Sequence, residues 1–282
     1  MRIIEFEIKE EYNGRQIRDF LRDFGVSSSL LTKLKQTQNG ITVNGSFARA
    51  IDPLHTGDML KIAIEGKGKM PVPFECDRVS VAYNDEDIIV LNKPAFMPVH
   101  ESRNHRGDTL ANVCACYVEG DTAFRAVYRL DRDTSGLVLI AKNELSAAKL
   151  AGKVQKDYYA VCKGELSGDG IIDLPIRRVA ESIIKRGVFD DGERAVTHWS
   201  AVSTKNGNTL LKINLETGRT HQIRVHFSHI GKPLLGDTLY GEPSNEIDRQ
   251  ALHCKSISFL HPVTQKQITV DCPFPDDFKG LI

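Results

Sequence analysis

A charged loop between two short apolar runs, within residues 126–142, constrains this chain more than any other part of its sequence. The runs at residues 126–130 and 137–140 are too short for helices and predict two strands. The charged, Ser- and Gly-containing residues between them cannot continue a buried strand and predict a loop. Asp131 stands at the end of the first predicted strand, where a carboxylate has a rigid support and an exposed position. The pattern therefore indicates a nucleophile or a general base.

The same loop also fits three other interpretations. The spacing of Asp131, Asp133 and Thr134 resembles the D-x-D-x-T motif of aspartyl-phosphate phosphatases, but that motif opens a helix near the start of a doubly wound domain. Residues 133–136 resemble the D-T-G of aspartic proteases, but with one residue inserted. The third interpretation is a polar hairpin loop without chemistry, which explains the spacing equally well. Motifs further along the chain are needed to distinguish among them.

Length and composition bound the class of protein. A chain of 282 residues is long enough for one large domain and one small domain. No apolar run reaches the ~18 residues of a membrane span, and residues 1–7 alternate like a strand instead of forming a signal peptide. The six cysteines are scattered without a C-x-x-C pair, which favours reduced thiols and no metal site. We therefore expect a cytoplasmic protein, without membrane contact and monomeric.

Positive charge is concentrated in two stretches, although the formal net charge of the chain is zero. A balanced total argues mildly against a nucleic-acid partner, but the local distribution of charge matters more than the total. Residues 26–51 contain Lys33, Lys35 and Arg49 and no acidic residue. Residues 211–232 contain four lysines and arginines and one glutamate. Each stretch is a candidate surface for an anionic partner.

A Gly-, Pro- and Lys-rich stretch at residues 67–78 predicts a linker between two domains, residues 1–66 and 79–282. In the second domain short strands far outnumber helices, although residues 108–118, 143–154 and 221–230 predict three helices. This pattern predicts an α+β fold with flanking helices and loops on a mostly antiparallel, mixed β-sheet.

The first domain predicts two small amphipathic helices followed by a hairpin, with lysines on the outer face of the second helix. This arrangement resembles the alpha-L RNA-binding motif of ribosomal proteins and RNA-modifying enzymes. The resemblance implies that Lys33, Lys35 and Arg49 contact RNA. A generic accessory domain would show the same elements, so the sequence leaves both interpretations open.

Three blocks after residue 79 occur in a specific order. R-L-D-x-x-T-S-G-L begins at Arg129, K-x-Y-x-A begins at Lys156, and G-R-T-H-Q-I-R-V-H begins at Gly218. Together these blocks resemble the signature of the RluA-type pseudouridine synthases, which convert uridine in RNA into its C-glycoside isomer. The nine consecutive matches of the third block make this resemblance far more specific than the loop alone.

The resemblance implies a role for each of five residues. Asp131 is the catalytic carboxylate, and Arg224 is the arginine that pairs with it. Tyr158 stacks on the base and takes part in the proton transfer at C5, although a lone strand tyrosine is usually a core residue. Arg129 fills the stack that an extruded uridine leaves, and Arg219 binds RNA phosphate.

Two positions depart from the family pattern. Position 128 is commonly histidine in the family and is tyrosine here. Because a strand would turn Tyr128 away from the side of Arg129, we expect little effect on the chemistry. Position 96 is commonly glycine and is phenylalanine here, so the local turn is expected to differ.

The reaction that the resemblance implies breaks the N1–C1′ bond and forms a C5–C1′ bond without adding or removing atoms. It therefore needs no cofactor, metal or nucleotide, and the sequence has no P-loop, G-x-G-x-x-G or H-E-x-x-H motif. An adjacent guanidinium favours the ionised form of a carboxylate. The sequence does not decide whether Asp131 attacks the ribose, attacks the base or removes a ribose proton.

We therefore predict an RNA pseudouridine synthase. The additional N-terminal domain favours large-subunit ribosomal RNA as its target, with transfer RNA as the alternative. A non-catalytic RNA-binding or ribosome-assembly factor on the same fold, and a Mg²⁺-dependent aspartyl phosphatase, are the competing hypotheses. The intact Asp131, Tyr158 and Arg224 argue against the first, and the predicted strand after Gly136 argues against the second.

Overall fold

The computed structural model describes residues 1–66, 68–118, 120 and 122–282. Within these residues the chain forms a four-stranded, a two-stranded and a nine-stranded β-sheet with six short α-helices. The predicted α+β class, with a mostly antiparallel mixed sheet, is confirmed. In the described part of the chain, no helix has both the length and the apolar character that a lipid bilayer requires.

The N-terminal segment, residues 1–66, folds around its own apolar cluster. Its elements are β1 (Arg2–Glu7), a 3-10 turn (Glu10–Tyr12), α1 (Ile17–Phe24), α2 (Ser28–Gln36), β2 (Ile41–Val43), β3 (Ser46–Phe47) and β4 (Met59–Ile64). The strands pair antiparallel in the order β1-β4-β2-β3. Gly25 ends α1 with a left-handed φ of 102°, and the Ser27 hydroxyl caps α2 by accepting the Leu30 N–H at 3.2 Å.

The main segment, residues 79–282, contains eleven strands and four helices among its described residues. The strands are β5 (Ser80–Asn84), β6 (Ile88–Lys93), β7 (Ser135–Ala141), β8 (Gln155–Lys163), β9 (Asp169–Asp173), β10 (Ile176–Arg178), β11 (Arg186–Val188), β12 (Val196–Lys205), β13 (Asn208–Leu215), β14 (Leu252–Leu260) and β15 (Gln267–Asp271). The helices are α3 (Leu110–Cys114), α4 (Glu144–Leu150), α5 (Gln222–His229) and α6 (Asp276–Lys279).

The large sheet runs in the order β5-β6-β7-β14-β8-β13-β12-β9, with β15 added beside β14. Its pairings are antiparallel except for the parallel pair β7–β14, where Ser135 faces His253 and Gly136 faces Cys254. Gly136 has φ 116°, and a Cβ there would collide with the backbone of Cys254. The glycine of the T-S-G motif is therefore needed because a neighbouring strand approaches its backbone closely.

Several predicted elements have different limits in the structure. The predicted strand at residues 126–130 is wrong: only Ala126 bridges to Ile140, and the chain then bends away. The second run lies inside β7 as predicted. The predicted helix at residues 143–154 is shorter, because it ends at Leu150, but its Asn143 cap is confirmed by the Ser146 N–H that the side chain accepts at 2.8 Å.

The predicted linker lies against the main segment. Its first residue, Lys67, is outside the described residues, and residues 68–78 contain neither helix nor strand. Asn112 donates its side-chain amide to the Val72 carbonyl at 2.9 Å, and the Phe74 N–H donates to the Asn112 carbonyl at 3.1 Å. The stretch is irregular in backbone conformation, as its Gly and Pro content predicts, but it is bonded to the protein surface.

Charged and apolar contacts dock the N-terminal segment against the main segment. Leu145 of α4 is fully buried within the apolar cluster of the N-terminal segment. Arg2 donates two hydrogen bonds to the buried Asp87, at 2.9 and 2.8 Å. Lys33 donates to both carboxylate oxygens of Glu144, at 2.6 and 2.7 Å. The two segments therefore share one continuous packed interface.

Leu145→Ala should lower the free energy of unfolding by about 2–5 kcal/mol, because it leaves a cavity between the two segments. Leu260→Ala is the matched control: Leu260 is 53 % exposed, so its loss should change stability by no more than about 0.5 kcal/mol. Chemical denaturation followed by circular dichroism measures both effects. Equal stability of the two variants, or separate unfolding transitions of the two segments in the parent protein, would contradict the docking described here.

Candidate active site

A cleft of about 330 Å³ opens beside the loop that follows residue 126. Side chains from all three sequence blocks line it. The five main-segment residues singled out from the sequence are all among them: Arg129, Asp131, Tyr158, Arg219 and Arg224. The volume is at the lower end of the range typical of small-molecule sites, and the walls combine apolar side chains with a few charged groups.

Arg224 connects two carboxylates across this cleft. Its Nη1 donates to Asp131 Oδ2 at 3.1 Å, while Nε and Nη2 donate to the two oxygens of Asp237 at 2.7 and 2.9 Å. Asp237 is completely buried, Arg224 is 9 % exposed and Asp131 is 26 % exposed. Burial alone would lower the pKa of Arg224, but the hydrogen bonds and charge of Asp237, together with Asp131, raise it overall. The guanidinium is therefore a permanent positive charge beside a solvent-reachable carboxylate.

His221 forms a second contact with the carboxylate. Its Nε2 lies 3.8 Å from Asp131 Oδ2, and its Nδ1 lies 2.8 Å from the Tyr240 hydroxyl. That hydroxyl accepts the Arg186 N–H at 2.9 Å and has its own proton available for Nδ1. Burial lowers the pKa of His221, which favours the neutral ring. A neutral ring that accepts at Nδ1 carries its proton on Nε2, facing Asp131.

Tyr158 reaches the cleft from the centre of the large sheet. It lies on β8 between Ile213 of β13 and Cys254 of β14, and its side chain is buried. Burial raises its pKa well above the ordinary value for tyrosine, and the neighbouring Cys254 and Asp131 raise it further. The hydroxyl therefore keeps its proton at neutral pH.

Arg129 and Arg219 lie on the exposed rim of the cleft. Arg129 Nη2 donates to the Thr220 hydroxyl at 2.9 Å. Arg219 forms an ion pair with Glu193 through Nη1 and donates from Nε to the Arg194 carbonyl at 3.0 Å. Exposed pairs of this kind contribute little to stability, so both guanidinium groups can exchange these contacts for phosphate oxygens at small cost.

Comparison with known proteins identifies the chain. The RNA pseudouridylate synthase family matches residues 87–229, which include all three sequence blocks. The chain belongs to this family. It is 38 % identical to the uncharacterized RNA pseudouridine synthase YjbO of Bacillus subtilis, over 94 % of this chain and 98 % of the relative. It is 35 % identical to the ribosomal large subunit pseudouridine synthase D of Pseudomonas aeruginosa, over 86 % of this chain and 82 % of the relative.

A solved structure has the same fold. The human RNA pseudouridylate synthase domain containing 1 superimposes with a TM-score of 0.59 at 25 % identity, over 72 % of this chain and 86 % of that protein. The predicted enzyme class, an RNA pseudouridine synthase, is confirmed. RNA is accordingly the substrate class of this synthase.

The structure corrects the prediction for Tyr128. Because residues 126–130 do not form a strand, consecutive side chains do not alternate, and Tyr128 and Arg129 both line the cleft. The Tyr128 hydroxyl donates to the Leu137 carbonyl at 2.9 Å. The Nζ atom of Lys156 lies 4.9 Å from the centre of the tyrosine ring and donates to the Val154 carbonyl at 3.0 Å. Tyr128, at the position where the family commonly has histidine, is therefore part of the cleft wall.

Sequence reasoning missed two buried basic side chains that hold the loop carrying Asp131. Lys93 Nζ donates to the Arg132 carbonyl at 3.0 Å, and Arg249 Nη1 donates to the Asp133 carbonyl at 3.2 Å. Burial lowers the pKa of Lys93 to about 7, an effect that the negative charge of Asp133 opposes. The N-K-P spelling around Lys93 was a usable signal, whereas Arg249 lies in no recognisable motif.

Asp237 was missed as well, although it ends the G-K-P-L-L-G-D stretch that follows the third block. A usable signal was the position of this carboxylate directly after Gly236. Its pairing with Arg224 was not apparent, because the two residues lie apart in the sequence. Besides Arg224, Asp237 Oδ1 accepts the N–H groups of Leu239 and Tyr240 at 3.1 and 3.2 Å. These bonds hold the Asp237 carboxylate in place, and Asp237 in turn holds the Arg224 side chain.

The three basic residues of the N-terminal segment do not line the cleft. Lys33 is engaged by Glu144, as described above, and Arg49 donates from Nε to Asp52 at 3.0 Å. Lys35 is exposed and has no ionic partner within the described ranges. Of the three, only Lys35 therefore presents an unneutralised charge to solvent.

One group of potential metal ligands is found among the described residues, formed by Asp85, Asp87 and His261. Protein donors already occupy it: Arg2 and Asn143 bind Asp87, and the Tyr83 hydroxyl donates to Asp85 at 2.8 Å. None of the three lines the cleft. The group serves as a hydrogen-bonded junction at the docking interface of the two segments.

Arg224→Ala should slow single-turnover isomerisation at saturating RNA by about 100-fold or more, because it removes a preorganised charge beside Asp131. Arg219→Ala should leave that rate unchanged, weaken RNA binding and reduce the salt dependence of binding by about one unit of slope. The comparison must be made well below the melting temperature, because Arg224→Ala also leaves the buried Asp237 without its countercharge. Equal single-turnover rates would contradict this division of roles.

Proposed function

We propose that this synthase isomerises specific uridines in large-subunit ribosomal RNA, with Asp131 as the reacting carboxylate. The observation that carries the proposal is the 3.1 Å contact between Arg224 and Asp131 in the cleft. It pairs the carboxylate with a buried cation and leaves it reachable from solvent. Several relatives are named ribosomal large subunit pseudouridine synthase D, which supports ribosomal over transfer RNA.

The chemistry follows from the charges in the cleft. Asp131 lies beside Arg224 and His221, and it acts as a nucleophile toward the ribose or the base, or removes a ribose proton. The N1–C1′ bond breaks, the uracil turns, and the C5–C1′ bond forms. The net reaction moves one proton from C5 to N1, so atoms and charge balance within the nucleotide. Tyr158 packs against the base as it turns, and its neutral hydroxyl relays the proton.

Extrusion of the uridine from its helix or loop costs a few kcal/mol, approximately, and the cleft must recover this energy. Arg129 stands on the exposed rim beside Asp131, where its planar guanidinium replaces the missing base in the stack. Arg219, which belongs to the third sequence block, provides a phosphate contact on the same rim. These roles explain why both arginines are exposed. Neither role requires a cofactor.

Pseudouridine maps of cellular RNA test the proposal directly. Cells that lack the protein should lose specific modifications in large-subunit ribosomal RNA, and the wild-type gene should restore them. Asp131→Asn, which keeps the side-chain shape and removes its charge, should restore none. Restoration by the Asn variant would exclude Asp131 as the reacting group. Loss of modification in transfer RNA alone would replace the proposed target while leaving the role of Asp131 intact.

We further propose that residues 1–66 form an RNA-binding module of the alpha-L type. Two helices with lysines on α2 and a small antiparallel sheet support the assignment, and Lys35 supplies an exposed positive charge. Docking against the main segment gives this module a fixed position relative to the cleft. A fixed module selects RNA whose phosphates lie at a set distance from the target uridine.

Lys35→Ala should weaken binding to a large ribosomal RNA fragment and reduce the salt dependence by about one unit of slope, because one phosphate contact is lost. Lys33→Ala is the matched control, because it removes a lysine from the same helix, two residues away, that is already paired. Since Glu144 already neutralises Lys33, its loss should change the slope less and alter stability by at most about 1 kcal/mol. Affinity measured across a salt series compares them. Equal slopes for the two variants would argue against RNA contact through this face of α2.

A further inference from the structure

Phe96 has a backbone conformation that is costly for its residue type. Six non-glycine residues within the described ranges have positive φ, and three of them are asparagines, which tolerate this region. Phe96 has φ 61° and is the only apolar residue of the six. Its side chain is nevertheless 50 % exposed, so the ring gains little from burial. Packing therefore does not explain why a phenylalanine stands here.

A buried lysine imposes this conformation. Lys93 Nζ donates to the Pro94 carbonyl at 2.9 Å and to the Met97 carbonyl at 2.8 Å, so its bonds enclose Phe96 on both sides. The Met97 N–H also donates to the Arg132 carbonyl at 3.1 Å. Strained residues persist where the surrounding structure determines them fully, and such positions cluster at functional sites. The turn holds the Phe96 ring on a rigid support.

The turn lies next to the loop that carries Asp131. The third bond of Lys93 goes to Arg132, the residue that follows Asp131. Further along the same stretch, burial lowers the pKa of His100, and the positive charge of Arg129 lowers it further. Phe96 is thus an exposed aromatic ring next to the loop that carries Asp131, and the exposed Arg132 belongs to the same loop.

We propose that Phe96 is a stacking platform for an unpaired RNA base adjacent to the target uridine. An aromatic ring beside cations fits single-stranded nucleic acid, because every base offers a flat face while the cations bind the phosphates. A flanking base held on Phe96 fixes the strand next to the uridine that enters the cleft. The proposal rests on the RNA-modifying activity of the family and is independent of which RNA is modified.

Three variants separate the ring from the backbone strain. Phe96→Gly should raise the melting temperature by about 2–4 °C, because glycine adopts positive φ without strain, and should weaken RNA binding by about fivefold or more. Phe96→Leu should weaken binding similarly without raising the melting temperature, because it removes the flat ring but retains Cβ. Phe96→Trp should preserve binding. Asn206→Gly, at φ 51° in the turn between β12 and β13, is the control for a backbone change without loss of affinity.

The RNA probe is a fluorescein-labelled decanucleotide with one central uridine flanked by cytidines, used in fluorescence anisotropy. Two matched probes lack the base immediately 5′ or 3′ of the uridine. With one of them the parent protein should lose about fivefold or more in affinity, and Phe96→Gly should lose almost nothing further. If the loss from removing the ring and the loss from removing that base are not additive, the missing base is the one that stacks on Phe96.

Unchanged affinity of Phe96→Gly for the intact probe would overturn the proposal. Additive losses with both abasic probes would also overturn it, because the ring and the flanking base would then act separately. Full affinity of Phe96→Leu would assign the contact to apolar bulk instead of stacking. A lower melting temperature of Phe96→Gly would assign the ring to packing. Each of these results tests the role of Phe96 even if the modified RNA is not ribosomal.

Discussion

The buried contact between Arg224 and Asp237 is the interaction on which the catalytic cleft depends. A guanidinium with 9 % of its surface exposed is costly to desolvate, and a fully buried aspartate offsets that cost through two hydrogen bonds. With two of its donors fixed in this way, Arg224 has one direction left for Nη1. That direction leads to Asp131. The Asp131 carboxylate is thus oriented by a salt bridge, between Arg224 and Asp237, in which it does not itself take part.

Backbone carbonyls, more than side chains, position the loop that carries Asp131. The carbonyls of Arg132 and Asp133, the two residues after Asp131, accept hydrogen bonds from Lys93 and Arg249. Arg249 is in turn held by Asp277 of α6, at 2.7 and 2.9 Å. Because these basic side chains bind main-chain atoms, the loop keeps its shape when its exposed side chains exchange partners. This is the preorganisation that electrostatic catalysis requires.

Patterns among neighbouring residues correctly predicted the elements that depend on neighbouring residues alone. The β7 strand, the Asn143 cap and the arginine-bearing third block follow from apolar spacing and from a specific spelling. The failures share a different physical origin. The predicted strand at residues 126–130 does not form, and the loop directly after it is bonded to basic side chains 39 and 116 residues away. Likewise, Lys33 looks exposed on its own helix but pairs with Glu144, 111 residues later. Single-sequence patterns contain no information about such pairings.

The parallel pairing of β7 with β14 has a consequence for the order in which the molecule is made. The partners of β7 in this pair, His253 and Cys254, are synthesised 118 residues after it, and Arg249 and Asp277 emerge in the same late portion. Contacts of such long sequence separation close late, because the entropy of the intervening loop must be lost first. A nascent chain on the ribosome therefore carries Asp131 without its supporting contacts until the segment that contains Arg249, His253 and Asp277 has emerged. A shorter copy lacks the contacts that organise this loop, although it is surrounded by RNA.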